Sequence, residues 1–142
     1  MTKKYPLEPS EKPGLFCIRA LRDFGTVKAG SVGGYVASEH NLSHHGNCWI
    51  SEYGIVEGSA RVSGNARVSY YARVSENARV SGNAQITGCA TVKGNAKVRG
   101  NITVESQAIV KGNVTLKGHG LISAKALICG SETATLSCIV IR

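Results

Sequence analysis

The sequence predicts an all-β protein, a solenoid of short parallel strands, and three observations carry that prediction. From Ile50 through Val56, Val62 and Val68 to Val140, every sixth residue is a large aliphatic, with Ala134 the one small member. Two positions before each lies a second series, mostly small, that includes Ala60, Ala66, Ala72, Ala78, Ala84, Ala90 and Ala96. Finally, Gly-Asn pairs recur at a triple of that period, in Gly64-Asn65, Gly82-Asn83 and Gly100-Asn101. A spacing of two within a unit and six between units is a strand-and-turn rhythm, unlike the 3.5 or 3.6 of a helix. A unit so short cannot pair with itself, so its strands must stack on equivalents in neighbouring coils, as in a parallel β-helix.

The elements follow in chain order. Residues 1–35 hold all three prolines and a dense apolar stretch, Leu15-Phe16-Cys17-Ile18-Arg19-Ala20-Leu21. A solenoid end exposes unpaired strand edges, so this segment is expected to be a cap of one strand and an irregular turn. Residues 36–130 form the repeat, with room for about six coils stacked roughly 4.8 Å apart. In 131–142, Glu132 falls in the inward series. An unpaired buried carboxylate would cost several kcal/mol, so the register is expected to end near Gly130. A capping strand would follow, with Ala134, Leu136, Cys138 and Val140 pointing one way.

The consensus, as in Val62-Ser63-Gly64-Asn65-Ala66-Arg67, resembles the hexapeptide-repeat proteins. That resemblance implies a single-stranded left-handed parallel β-helix in which three hexads make one triangular coil. The stretch from Ile18 to Val36, followed by Asn41-Leu42-Ser43-His44, is similar to the opening of phage- and prophage-encoded members labelled putative transferases. It implies a bacterial or phage origin and supplies no reaction, because one fold hosts many activities. Members of the family commonly form trimers, and its acyltransferases place acyl-CoA in the cleft between subunits.

Composition bounds the setting. No apolar run approaches the roughly 18 residues that span a membrane, and the N-terminus lacks the apolar core of a secretion signal. Cys17, Cys48, Cys89, Cys129 and Cys138 contain no C-x-x-C pair, and Cys48 and Cys138 occupy the inward series as small hydrophobes. A reduced cytoplasm is therefore the expected location. The 17 basic residues exceed the 9 acidic ones for a net charge of +8, which points to anionic partners. The basic residues are spread around the prism and no duplex-reading element is recognisable, so nucleic acid is not the expected ligand.

Folding the chain at eighteen residues separates three corners. One reads Asn47, Asn65, Asn83, Asn101, His119 after glycines; another reads Ser59, Asn77, Asn95, Asn113, Ser131 after Gly58, Glu76, Gly94, Gly112, Gly130. Glycine and asparagine tolerate positive φ, and stacked asparagines can hydrogen-bond along a ladder. The third corner departs from this chemistry with Tyr53, Tyr71, Cys89, Gln107 and Lys125, preceded by Glu52, Tyr70, Gly88, Ser106 and Ala124. A local violation of a repeat rule points to a functional or contact site.

The outward residues beside that corner define the candidate ligand site: Trp49, Tyr53, Arg67, Tyr70, Tyr71 and Arg73. Guanidinium forks pair with phosphate and tyrosines stack on a base, so the expected ligand is an anionic small molecule of nucleotide type. The competing reading makes the same aromatics interface packing. Arg61, Arg79 and Lys97 form a secondary basic ladder on the third face, either a solvated surface or an anion track. Outward Ile109, Leu121, Leu127 and Ile139 predict the interface of a homotrimer, unless the C-terminal strand folds back over them.

Catalysis has thin support. Under an alternative acyl-CoA-dependent transferase, His45 or His119 would be the base, yet neither has a carboxylate close in sequence to orient it. His40 and His45 share the offset of two zinc ligands in gamma-class carbonic anhydrases, but zinc needs a third protein ligand. No further histidine occurs before His119, and His44 falls in the inward phase, so no metal is expected. The expectation is thus a non-catalytic binding protein without a cofactor, with acyl transfer and a structural or virion scaffold as alternatives.

Overall fold

The structure, a computed structural model, describes residues 3–141, and for 136–140 it describes the backbone alone. It is an all-β solenoid of about six stacked coils. A 3-10 turn at Glu39–Asn41 is the one helical element among the described residues. Two-residue strands pair in parallel with partners eighteen positions away. One face stacks Ile55, Arg73, Thr91, Ile109 and Leu127. A second stacks Trp49, Arg67, Gln85, Thr103 and Leu121, and the third stacks Arg61, Arg79, Lys97 and Thr115. The strand Thr115–Ile122 runs unbroken round one corner and joins the second and third faces into a single nine-stranded sheet.

The two apolar series close the interior. Val62, Val68, Val74, Val80, Ile86, Val92, Val98 and Val104 have no exposed surface, nor do the alanines from Ala60 to Ala96. Large side chains fill the prism while alanines fit where it narrows, so each coil covers the apolar area of the one before it. Turn amides continue the ladder from coil to coil: Asn65 N–H donates to Gly82 O at 2.8 Å and Tyr71 N–H to Gly88 O at 2.9 Å.

The first coil breaks the period. Val36 lies opposite Val56 and Leu42 opposite Val62, two positions farther apart than the pairing of Trp49 with Arg67. Ser43 N–H donates to Val62 O as Ser63 N–H does to Val80 O, so Ser43 heads the column that the hexad count gives to His45. His44 and His45 are therefore an insertion in the corner. The inward position belongs to Leu42, which is fully buried, and His44 is not a core residue of the prism.

The N-terminal cap has more structure than one strand. Strands β1 (Leu7–Pro9), β2 (Phe16–Arg19) and β3 (Val32–Val36) pair antiparallel in that order, and β3 then runs parallel to Ile55–Val56. This extends the first face into an eight-stranded sheet. Lys4 and Tyr5, both with no exposed surface, lie over the end of the prism. Lys4 Nζ donates to Cys48 O at 2.7 Å and Gly46 O at 3.2 Å, and the Tyr5 hydroxyl donates to Leu42 O. One coil later the equivalent carbonyls of Val62, Gly64 and Ala66 accept backbone amides. The cap thus supplies the donors that a preceding coil would have given.

His44 locks this plug. Its ring stacks on Tyr5 with centroids 4.2 Å apart, Nδ1 accepts the Lys4 backbone N–H at 3.0 Å, and Nε2 meets Glu39 Oε1 at 3.2 Å. An accepting Nδ1 requires the neutral Nε2–H tautomer, which donates to Glu39. Hydrogen bonds from Lys3, then from His44, hold the Glu39 carboxyl below the usual carboxylate range.

At the other end the register does not break at Glu132. Thr133–Ile141 stacks parallel on Thr115–Ile122 and keeps the eighteen-residue spacing from Thr133 opposite Thr115 to Ser137 opposite His119. A one-residue irregularity then sets Ile139 opposite Gly120, Val140 opposite Leu121 and Ile141 opposite Ile122. The Glu132 side chain is exposed, and its carbonyl accepts Thr115 N–H at 3.0 Å. The common direction expected for Leu136, Cys138 and Val140 concerns side chains outside the described residues.

Candidate functional site

The third corner combines backbone strain with exposed aromatic surface. Its turn positions Glu52, Tyr70, Ser106 and Ala124 all have φ between 57° and 59°, the left-handed region, and Gly88 is the one glycine in that column. The asparagine corner fills the same turn with glycine at Gly46, Gly64, Gly82, Gly100 and Gly118. A side chain in this conformation costs on the order of 1–2 kcal/mol, so the solenoid carries avoidable strain along one edge.

On that edge the Tyr53 and Tyr71 rings stack with centroids 5.1 Å apart and planes 10° from parallel. Their eighteen-residue separation puts them one coil apart, so the ladder spacing itself sets the stacking distance. They are 56% and 65% exposed, and Tyr70 beside them is 52% exposed. On the Tyr70 side a cleft of about 500 Å³ is lined by Thr26, Glu52, Asn65, Arg67, Tyr70 and Asn83 among others. Arg67 projects into it and donates from Nη2 to Thr26 Oγ1 at 2.7 Å, a partner that belongs to the cap. On the adjoining face Arg73 pairs with Glu57 at 3.1 Å. Among the described residues each arginine has this one side-chain partner, and a guanidinium carries further donors.

Five of the six expected site residues therefore line this corner, and Trp49 does not. Trp49 is 3% exposed, covered by Phe24 at 5.3 Å and Tyr5 at 6.3 Å between ring centroids. It points outward from the first coil, but the cap loop folds across that face. Thr26 is the residue that the periodic reading missed, since a loop has no period to place it.

Farther along the same corner the tyrosines give way to a shallow notch of about 460 Å³, formed by Gly88, Cys89, Ser106, Gln107, Ala124 and Lys125. Among the described residues the aromatic stack on this corner comprises Tyr53 and Tyr71, and the next coil places Cys89 at the equivalent position. The ladder Arg61, Arg79 and Lys97 is stacked in register, and among the described residues no carboxylate lies within ion-pair distance of it. Near the far end Leu127 is 57% exposed, whereas Ile109 and Leu121 are half-buried. The side chain of Ile139 lies outside the described residues, and its backbone sits opposite Gly120 rather than Leu121.

The histidines are dispersed. His119 Nδ1 meets the Asn101 side-chain amide at 3.1 Å as a rung of the asparagine ladder, which continues from Asn65 to Asn83 at 3.2 Å. His45 is exposed in the corner insertion, and among the described residues neither it nor His119 is hydrogen-bonded to a carboxylate. No helix among the described residues is long and apolar enough to cross a membrane.

Fold and corner together define a parallel β-solenoid with a basic, aromatic edge. Comparison with protein-family models and with curated proteins gave no match for the chain.

Proposed function

We propose that this β-solenoid is a non-catalytic binding protein whose ligand is a planar, anionic small molecule of nucleotide type, held at Arg67, Tyr70, Tyr71 and Arg73. The observation that carries the reading is Tyr70 at φ 58°, exposed and strained where Gly88 fills the same turn one coil later. Glycine would relieve the strain, as it would at Glu52, Ser106 and Ala124, and what Tyr70 adds in exchange is an exposed aromatic side chain. Beside it, Arg67 supplies a phosphate-pairing fork and Tyr71 an open ring face.

In this reading the protein is a homotrimer of the phage-related hexapeptide type, packed along the third corner with the ligand in the subunit cleft. Leu127, exposed at the far end of that corner, supports the packing edge. No step of bond making is assigned, because no histidine stands with a carboxylate at the corner.

The test is thermal unfolding against nucleotides, cyclic dinucleotides, acyl-CoA and inorganic phosphate, with light-scattering mass on the same sample. A stabilising nucleotide should lose its effect in Arg67→Ala and Tyr71→Ala and keep it in Arg79→Ala. Stacking on one ring contributes about 1–3 kcal/mol, so Tyr71→Ala should weaken binding roughly tenfold or more. A well-formed oligomer indifferent to every one of these compounds would refute the reading and leave a scaffold.

A further inference from the structure

Lys4 and Cys48 meet at the end of the prism as a buried amine and thiol. Nζ lies 3.3 Å from Sγ, and neither residue has any exposed surface. The contact is held from several directions. The amine is fixed by Cys48 O and Gly46 O, and the Lys4 backbone N–H by His44 Nδ1. The next residue, Tyr5, is anchored through Leu42 O. On the sulfur side, Ser43 O at 3.5 Å and His45 O at 3.6 Å lie within reach of the S–H. Two nucleophilic atoms are thus kept in contact, away from bulk water, across 44 positions of chain.

We propose that Lys4 and Cys48 are a covalent modification site, joined through one oxygen atom as an N–O–S bridge when the folded protein meets dioxygen. The balance closes on the groups present plus that oxidant. Nζ and Sγ each lose one hydrogen, and one oxygen atom enters as N–O and O–S single bonds. The second oxygen atom leaves as water with the two hydrogens. Dioxygen is reduced, and the amine nitrogen and thiol sulfur are oxidised equally. Excess dithiol reverses the change, returning amine, thiol and water while the dithiol becomes disulfide.

The reaction needs an unprotonated amine, and burial, as the largest influence, holds Lys4 below its ordinary value. Competing pathways of the thiol are restricted by the same geometry. A disulfide would need a second thiol at this buried position, and hydrolytic exchange would need water that the plug excludes. The bridge would staple the N-terminal segment to the first coil, so the cap could not detach until a reductant released it. Closing a loop of this length by a covalent link stabilises through the unfolded chain, as a disulfide does.

The experiment is peptide mass analysis of the full-length folded protein after exposure to dioxygen, without reductant, beside a urea-unfolded sample treated identically. The expected product is a linked pair of peptides containing Lys4 and Cys48. Its mass should exceed the sum of the two by one oxygen and fall short by two hydrogens. It should vanish with dithiol and be absent from the unfolded sample, from Cys48→Ser and from Lys4→Arg, which keeps a cation in the plug. Free Lys4 with Cys48 as thiol, sulfinic acid or disulfide would overturn the proposal. So would equal linkage in the unfolded chain.

Discussion

Lys4 and Cys48 are related as a missing coil is to the coil above it: Lys4 Nζ reaches Cys48 O at 2.7 Å, where one coil later the Trp49 amide reaches Ala66 O at 3.2 Å. The same nitrogen serves Gly46 O, whose counterpart Gly64 O accepts the Cys48 amide. A single side chain thus replaces two backbone donors. The end of a solenoid is costly because its edge groups are unpaired, and here a buried lysine closes it from inside the fold.

Replacing Lys4 with Met should leave those carbonyls without donors and destabilise the protein by about 2 kcal/mol, measured by urea unfolding. Measured against Lys4→Met, the wild type should also gain stability as pH rises through the alkaline range. Burial lowers the folded pKa of Lys4, so between that value and 10.5 the unfolded chain holds a proton that the folded chain has released. Cys17, Tyr5 and Tyr35, whose pKa values burial raises, pull the other way in both proteins and cancel in the comparison. A difference between the two proteins that stays constant across this range would show that Lys4 does not cause it.

Deleting His44 and His45 restores the regular period, and regularity alone would predict a neutral or stabilising change. The contacts predict the opposite. Tyr5 would lose its stacking partner and the Lys4 N–H its acceptor, together about 2 kcal/mol. An unfolding midpoint at or above that of the parent would mean that the insertion is only a tolerated bulge.

That insertion also marks the limit of what the sequence discloses. Ile50 to Ile128 could be placed residue by residue, because a repeat of six fixes both face and register, and Tyr53 over Tyr71 followed from the same arithmetic. His44 happens to fall six positions before Ile50, so the count alone gives no sign that two residues were added. Leu42 and Val36 hold the true phase, visible only when they are paired with Val62 and Val56. Trp49 was correctly outward and still buried, since Phe24 covers it from a loop whose path no periodicity encodes.

Tyr70→Gly separates surface from stability. At φ 58° the substitution relieves left-handed strain, and it removes a side chain that is half exposed. Stability should stay level or rise by up to about 1 kcal/mol, while nucleotide binding weakens. A clear fall in the unfolding midpoint would assign Tyr70 a packing role and take away the main support for a ligand at this corner.

Leu127→Lys tests the far end of the same edge. Leu127 is 57% exposed beside half-buried Ile109, its partner in the parallel ladder, so a lone chain gains little from a leucine there. An interface must desolvate this position, and a buried lysine without a partner would cost several kcal/mol. If the third corner is the subunit edge, light scattering should show the variant falling to monomer mass, with its unfolding midpoint shifted only as far as loss of assembly requires. Ligand binding should fall with it, because the cleft would open. Lys97→Leu, on the face away from that corner, serves as the control and should leave the mass unchanged. An unchanged oligomer in Leu127→Lys would move the interface elsewhere on the prism.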